Sequence, residues 1–262
     1  MSALAAVRTR RVRHAVDLVH ELVLRDLRLR YRRSVLGIAW SQLSPLALLA
    51  VLTFVFTKIL PLQIPRYALF VYAGLLPWTW FSGALTDGAN AIVWSRDLVR
   101  RPGVPVAFLP VTTVVTHLAY FALSLPVLFV GLTVDGGIPA TALLLPCVVA
   151  VQFVLLLGPV YLLASLQVSL RDTGHLVGVV LVPVFYATPV FYQASSVPDR
   201  YRWVYDANPA AILITAYRDV LLEARAPELL PLAVLAAIGI ALAMFGRRMF
   251  ERSAHRFAEE LG

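Results

Sequence analysis

Lysine is almost missing from this 262-residue chain, and the one present, Lys58, follows an apolar run with no glycine-rich turn before it. A Walker A loop places a lysine behind glycines so that it reaches nucleotide phosphates. This chain has no such loop, so any ATP that drives it is bound by another polypeptide. Cysteine is as scarce. Cys147 stands alone inside an apolar run, which excludes an intramolecular disulfide and a cysteine-clustered metal site. The five histidines (His14, His20, His117, His175 and His255) are scattered without ligand spacing. Charge is low too, at 15% of residues against about 25% in a soluble domain.

Hydrophobicity fills the place of the missing charge. The chain is 60% apolar with a mean hydropathy of +0.78. Its apolar residues gather in runs near 35–57, 67–90, 106–133, 140–168, 174–193 and 229–246, each able to cross ~30 Å of hydrocarbon as a helix. The expected fold is an all-α membrane protein with a six-helix transmembrane domain over 34–246. Residues 1–33 and 247–262 are expected to form a cytoplasmic N-terminal segment and tail. No cleavable signal peptide is expected, because the first run starts only near Val35, after an arginine-rich segment, and is too long for an h-region.

The net charge of +8 does not point to nucleic acid, because the basic residues sit at the ends of apolar runs rather than in one stripe. That distribution is the positive-inside bias. Nine arginines precede the first run, three lie in 94–105, Arg171 follows the fourth and four close the chain. These seventeen share one side when six spans are drawn, against six on the other. Both termini are therefore read as cytoplasmic.

Residues 14–33 predict an amphipathic helix in the membrane interface, with Val16, Val19, Val23, Leu27 and Tyr31 on one face. The segment 194–228 is the longest external connection. Within it, 208–224 predicts a short amphipathic helix that starts at Asn208-Pro209 and dips into the outer leaflet. Arg218, Asp219 and Glu223 are expected to pair there at helical spacing. Prolines 45, 77, 126, 146, 159, 183 and 189 are expected to kink the spans. Small residues four apart, Gly174/Gly178 and Gly239/Ala243, permit close helix approach. Asp87 is the one acid inside a span. It either bonds a neighbouring helix or lies at the cytoplasmic end, and the second reading is preferred. Arg171-Asp172 reads as a structural turn.

Five stretches together carry a resemblance: RYRRSVLGIAWSQLSP at 30–45, GLLPWTWFSGAL at 74–85 leading to Asn90, LVRRPGVPVAFLP at 98–110, RDTGHLVGVVLVPVFYATPVFY at 171–192 and NPAAILITAYRDVLL at 208–222. In this order and spacing the chain resembles the permease subunits of ATP-binding-cassette exporters of cell-surface polysaccharides, the O-antigen, teichoic-acid and galactan type. Val104 and Val106 depart from an aromatic and a basic residue in that pattern, and Thr188 from a serine. The resemblance implies a homodimer with two copies of a separate nucleotide-binding subunit, which would hold the Mg-ATP; no cofactor is expected in this chain, and no nucleic acid.

It also implies roles for named residues. The loop 91–105, with Trp94, Arg96, Asp97, Leu98, Arg100 and Arg101, would dock on the ATPase, unless its charges only fix topology. Arg28, Arg30, Tyr31, Arg32 and Arg33 would meet the pyrophosphate of a polyprenyl- or lipid-linked glycan, since guanidinium forks bind phosphate bidentately. Anchoring to anionic membrane lipids accounts for the same cluster. Tyr72, Trp78, Trp80, Phe81, Phe185, Tyr186, Phe191 and Tyr192 are candidates to line a glycan channel, or equally an interfacial belt or packing residues. Asn208, Pro209, Tyr217 and Arg218 belong to an external gate. A drug or small-lipid exporter of the same superfamily fits the spans but fits the arginine-rich helix less well. An intramembrane transferase would need clustered carboxylates for a divalent cation, and the spans offer only Asp87.

Overall fold

The computed structural model describes residues 17–26, 28, 39–100 and 105–260, and every regular element among them is helical. Helix α1 covers 17–26. Helix α2 (Trp40–Phe54) continues into a π-helical turn, Val55–Ile59, and α3 spans Tyr67–Ala89. Two short helices, α4 (Ala91–Trp94) and α5 (Arg96–Val99), lead to α6 (Phe108–Val134). A tight turn with positive φ at Gly136 and Gly137, accessible without strain only to glycine, precedes α7 (Leu145–Ser169). Then come α8 (Thr173–Ala187), α9 (Arg202–Asp206), α10 (Pro209–Leu221) and α11 (Leu229–Glu260).

Among the described residues, five helices are long and apolar enough to cross a membrane: Trp40–Ile59, Tyr67–Ala89, Phe108–Val134, Ala140–Ser169 and Leu229–Phe257. The expected span at 174–193 is shorter than its sequence run. Helix α8 has 15 residues, about 22 Å at 1.5 Å per residue, and stops at Ala187. Pro189 accounts for the stop, because the residue before a proline is pushed out of the helical region. Thr188 accordingly adopts φ −102°, ψ 136°.

Helix α3 is the centre of the bundle, and most of its length is buried. Its Leu76 and Trp80 join Val114 and Phe121 of α6, Leu156 of α7 and Leu213 of α10 in the main apolar core. Helix α11 runs along α7 at glycine distance. A Cβ on Gly239 would lie 2.9 Å from the Leu155 backbone, and one on Gly246 2.5 Å from the Gly158 carbonyl oxygen. Of the other small pair, Gly174 packs on Asn90 while Gly178 faces open space.

At 32 residues, or about 48 Å, α11 exceeds the hydrocarbon thickness by half. It continues as one helix through most of the residues expected to be a separate tail, since neither proline nor glycine interrupts 247–260. Its overhang joins a second apolar core. Phe250 and Phe257 pack there with Leu22 of α1, Ile92 of α4, Leu109 of α6 and Tyr161 of α7. Both ends of the described chain therefore meet at one end of the bundle, here called the termini end.

Candidate functional site

At the termini end, the connection between α3 and α6 has two faces. Ile92 is fully buried, and Leu98 and Val99 pack on the second core, whereas Trp94 (63% exposed), Arg96, Asp97 and Arg100 look outward. The segment thus has one face sealed to the bundle and another that carries Trp94 and the charged side chains outward. Arg101 lies outside the described residues. Helix α1 seals the same core through Leu18 and Leu22, with Val23 buried beside them. The sequence face drawn through Val19 and Val23 missed the two leucines. Val16, Leu27 and Tyr31 lie outside the described residues, as do Arg30, Arg32 and Arg33; Arg28 is exposed.

Between α1, α3, α4 and α6 lies a cavity of about 220 Å³ lined by Arg25, Asp87, Thr112, Thr116 and His117, among others. Asp87 is near the end of α3, as expected, and also bonds the neighbouring helix: its Oδ2 is 3.0 Å from Nε2 of His117. Asp87 thus combines a place near one end of α3 with a bond to the neighbouring helix. His117 carried no assignment from sequence; thirty residues separate it from Asp87, and only the packing of α3 on α6 brings them together. Its ring lies over Gly83, where a Cβ would collide with it.

The α7–α8 turn at Arg171-Asp172 is held by a residue without a sequence signal. Gln167 donates to Arg171 O (2.9 Å) and to Asn90 Oδ1 (3.3 Å), and its Oε1 accepts from Gly174 N (2.6 Å). One amide therefore ties the ends of α3, α7 and α8. Gln152, 1% exposed, likewise donates to Pro77 O at 2.9 Å.

The opposite end is organised around α10. Asn208 caps it by accepting from Ala210 N (3.0 Å), and Pro209 occupies the first turn, where its missing N–H has no cost. The Asn208 amide donates to Thr188 Oγ1 (2.9 Å), fastening the start of α10 to the unwound end of α8. Helix α10 is buried on nearly every side rather than along one face, so it is wedged into the bundle.

Arg218 does not pair with an acid. Its guanidinium donates to the carbonyls of Phe70 (3.2 and 3.1 Å), Pro189 (2.6 Å) and Val190 (2.7 Å). It also lies 3.5 Å from the centroid of the Phe70 ring. These carbonyls belong to α3 and to the stretch where Pro189 stops the helix, so the rigid fork supplies the donors that the unwound backbone lacks. Asp219 pairs instead with Arg225 at 2.6 Å. Burial pushes the Asp219 carboxyl above its usual range despite this partner, while the carboxylate holds Arg225 above its own. Tyr217, expected at the gate, is a core residue with no exposure, its ring 5.7 Å from that of Phe121.

The model of the family described as ABC-2 type transporter matches residues 17–222. The chain belongs to this family. It is 37% identical to the O-antigen export system permease protein RfbA of Myxococcus xanthus, over 93% of this chain and 95% of that protein. It is 28% identical to the protein of the same description from Klebsiella pneumoniae, over 94% and 95%. With the polysialic acid transport protein KpsM of Escherichia coli the identity is 22%, over 88% and 92%. With five apolar helices of spanning length, this ABC-2 family member is a multi-pass membrane protein.

The eight aromatic candidates divide by burial. Tyr72 and Trp80 are 2% and 1% exposed, with hydrogen bonds to Ser124 O and Val114 O. Both pack in the α3–α6 contact, and Trp80 also borders a cavity of about 290 Å³ between α2, α3 and α6. The remaining six form one chain of ring contacts, from Phe81 through Trp78 and Phe185 to Tyr186, Phe191 and Tyr192, at centroid distances of 5.1–6.0 Å. Tyr186 is the most exposed, at 63%. This chain runs from the middle of α3 to the α10 end along the face where α8 lies.

Proposed function

We propose that this chain is the membrane-spanning subunit of an ATP-driven exporter that moves a lipid-linked polysaccharide across the cytoplasmic membrane. The observation that carries the reading is similarity over nearly the whole length to permeases named for O-antigen and polysialic acid export. The termini end is the cytoplasmic one, because Arg25, Arg28, Arg96, Arg100, Arg171, Arg247, Arg248, Arg252 and Arg256 gather there among the described residues. Two copies of a separate nucleotide-binding subunit supply Mg-ATP and dock on the outward face of α4–α5. A second copy of the permease completes the conduit across α2 and α8, whose apolar residues Val51, Phe54, Val179 and Val182 are more than half exposed.

In this mechanism the lipid-linked substrate enters past α1, where Arg28 and the arginines at 30, 32 and 33 meet its diphosphate. The sugar passes the aromatic chain that ends at Tyr192. The exit is shaped by α9 and α10. The protein's own groups bind and position; no covalent step falls to them.

Reconstitution tests this directly. Proteoliposomes holding the chain and its companion ATPase should move a lipid-diphosphate glycan to the opposite leaflet, read by lectin accessibility, and the glycan should stimulate ATP hydrolysis. Transport that persists without the companion, or stimulation by hydrophobic amines in place of the glycan, would sink the reading. Mass photometry that finds one permease per particle would remove the homodimer alone.

A further inference from the structure

The overhang of α11 carries two opposite faces. Phe250, Ala254 and Phe257 turn into the second core. Arg248, Arg252, His255 and Arg256 are exposed and recur at three- and four-residue steps, which places them on the other side of the helix. Two nearby acids with described side chains are engaged elsewhere: Glu251 pairs with Arg247 (2.8 Å) and Glu260 accepts from Ser169 (3.0 Å). Among the described residues, then, a cationic stripe two turns long is fixed in orientation by the aromatic anchors behind it.

Its depth identifies what it meets. The apolar run of α11 ends at Gly246. From Leu229 that is about 27 Å of helix, close to the ~30 Å of the hydrocarbon layer. Arg248 therefore stands at the boundary, Arg252 about 6 Å and Arg256 about 12 Å further along the axis. The headgroup layer occupies the first ~6–8 Å, and long arginine stems reach back toward it. A protein partner binding well clear of the membrane would leave Arg248 unused; phosphate oxygens of anionic phospholipid lie within reach of the stripe, and Arg248 and Arg252 most directly.

We propose that the arginine face of the α11 overhang docks on anionic phospholipid headgroups and, through Phe250 and Phe257, steadies the α4–α5 segment on the other side of the same core. The coupling segment would then be braced from behind by lipid. The inference needs only that α11 crosses a bilayer, and a symmetric nanodisc makes its outcome independent of which face the C-terminal end occupies.

The test uses the full chain in nanodiscs of mixed phosphatidylglycerol and phosphatidylcholine, with native mass spectrometry of the lipid that stays bound on extraction. The wild type should retain phosphatidylglycerol selectively. R248Q/R252Q/R256Q should lose that selectivity at least about fivefold, the effect of one arginine reaching the headgroups, while R248K/R252K/R256K stays within about twofold of wild type. Hydrogen exchange at 91–99 should slow in phosphatidylglycerol for the wild type and not for the glutamine variant. Unchanged selectivity in the glutamine variant overturns the proposal. So does a lysine variant that falls as far, or loss of binding to a companion protein with lipid retention intact.

Discussion

Replacing Arg218 by methionine keeps the stem of the side chain and removes its fork, which isolates the bond between α10 and the unwound end of α8. Four hydrogen bonds to three carbonyls disappear. Hydrogen bonds from a charged donor contribute about 1.5–3 kcal/mol each, so a simple sum gives roughly 6–12 kcal/mol. The sum is too large, because the variant no longer bears the several kcal/mol of burying a guanidinium. What remains is chiefly the loss of donors to buried carbonyls, and the net destabilisation comes to about 3–5 kcal/mol. For a chain of this size 1 kcal/mol moves Tm by about 2–4 °C, so R218M should melt roughly 6–20 °C lower in detergent, read by intrinsic fluorescence.

Two companion variants separate this account from a general packing defect. R218K keeps the charge but not the fork, and should recover only part of the loss. G74A should mimic R218M in part, because its Cβ would lie 2.7 Å from Nη2 of Arg218 and 3.2 Å from Val190 O; once Arg218 is methionine, the same alanine should cost less, the contact with the carbonyl remaining. A Tm shift under about 2 °C for R218M, or additive losses for G74A and R218M, would refute the reasoning.

Tyr217→Phe should raise Tm by a few degrees, because the buried hydroxyl has no hydrogen-bond partner among the described residues and its removal relieves about 1 kcal/mol. Phe257→Ala should cost about 3–5 kcal/mol of stability and speed hydrogen exchange at 17–26 and 91–99, the segments that share its core; faster exchange confined to the end of α11 would disconnect them. Gly246→Leu should separate α11 from α7, where the Gly158 carbonyl leaves no room for a side chain, and abolish the folded peak in size-exclusion chromatography; a normal peak would count against the close seam.

What sequence made legible was whatever rests on short-range pattern. Long apolar runs located all the spanning helices, and Asn208-Pro209 located the start of α10 to the residue. The end of α8 was misplaced because hydropathy continues to 193 while the pre-proline restriction at Thr188 ends the helix earlier. Residues 247–260 were read as a tail because their charge ends the apolar run; charge does not end a helix, and Phe250 and Phe257 keep the apolar period going beyond the membrane. The side-chain partners were the least legible. Arg218, Asp219 and Glu223 have the spacing of ion pairs, yet burial sends Arg218 to carbonyls 28–148 residues away. His117, Gln152 and Gln167 act across similar distances, and nothing local marks them. The aromatic group was readable as a set and not as individuals, since burial alone distinguishes Trp80 from Tyr186.

The distribution of burial also indicates which parts can move. Helices α3, α6, α7, α10 and α11 are joined by the main core, by the glycine seam and by the bonds of Arg218 to Phe70 O, while Arg218 and Asn208 also fasten the end of α8 to α10. Helix α2 has no buried residue and α8 only Thr173; Leu46 and Leu49 of the one and Val177 and Leu181 of the other are only partly buried against the main core, so neither helix is enclosed by the bundle. They also carry the faces proposed to meet a second copy. Motion during transport should therefore concentrate in α2 and α8 while the other five helices keep their spacing. Spin labels at Val51 and Val179, both well exposed, in a chain with Cys147 replaced, should change their separation when the companion ATPase is trapped with nucleotide. A label pair on α7 and α11 should not. If the α7–α11 distance changes and the α2–α8 distance does not, the division into a fixed and a mobile part is wrong.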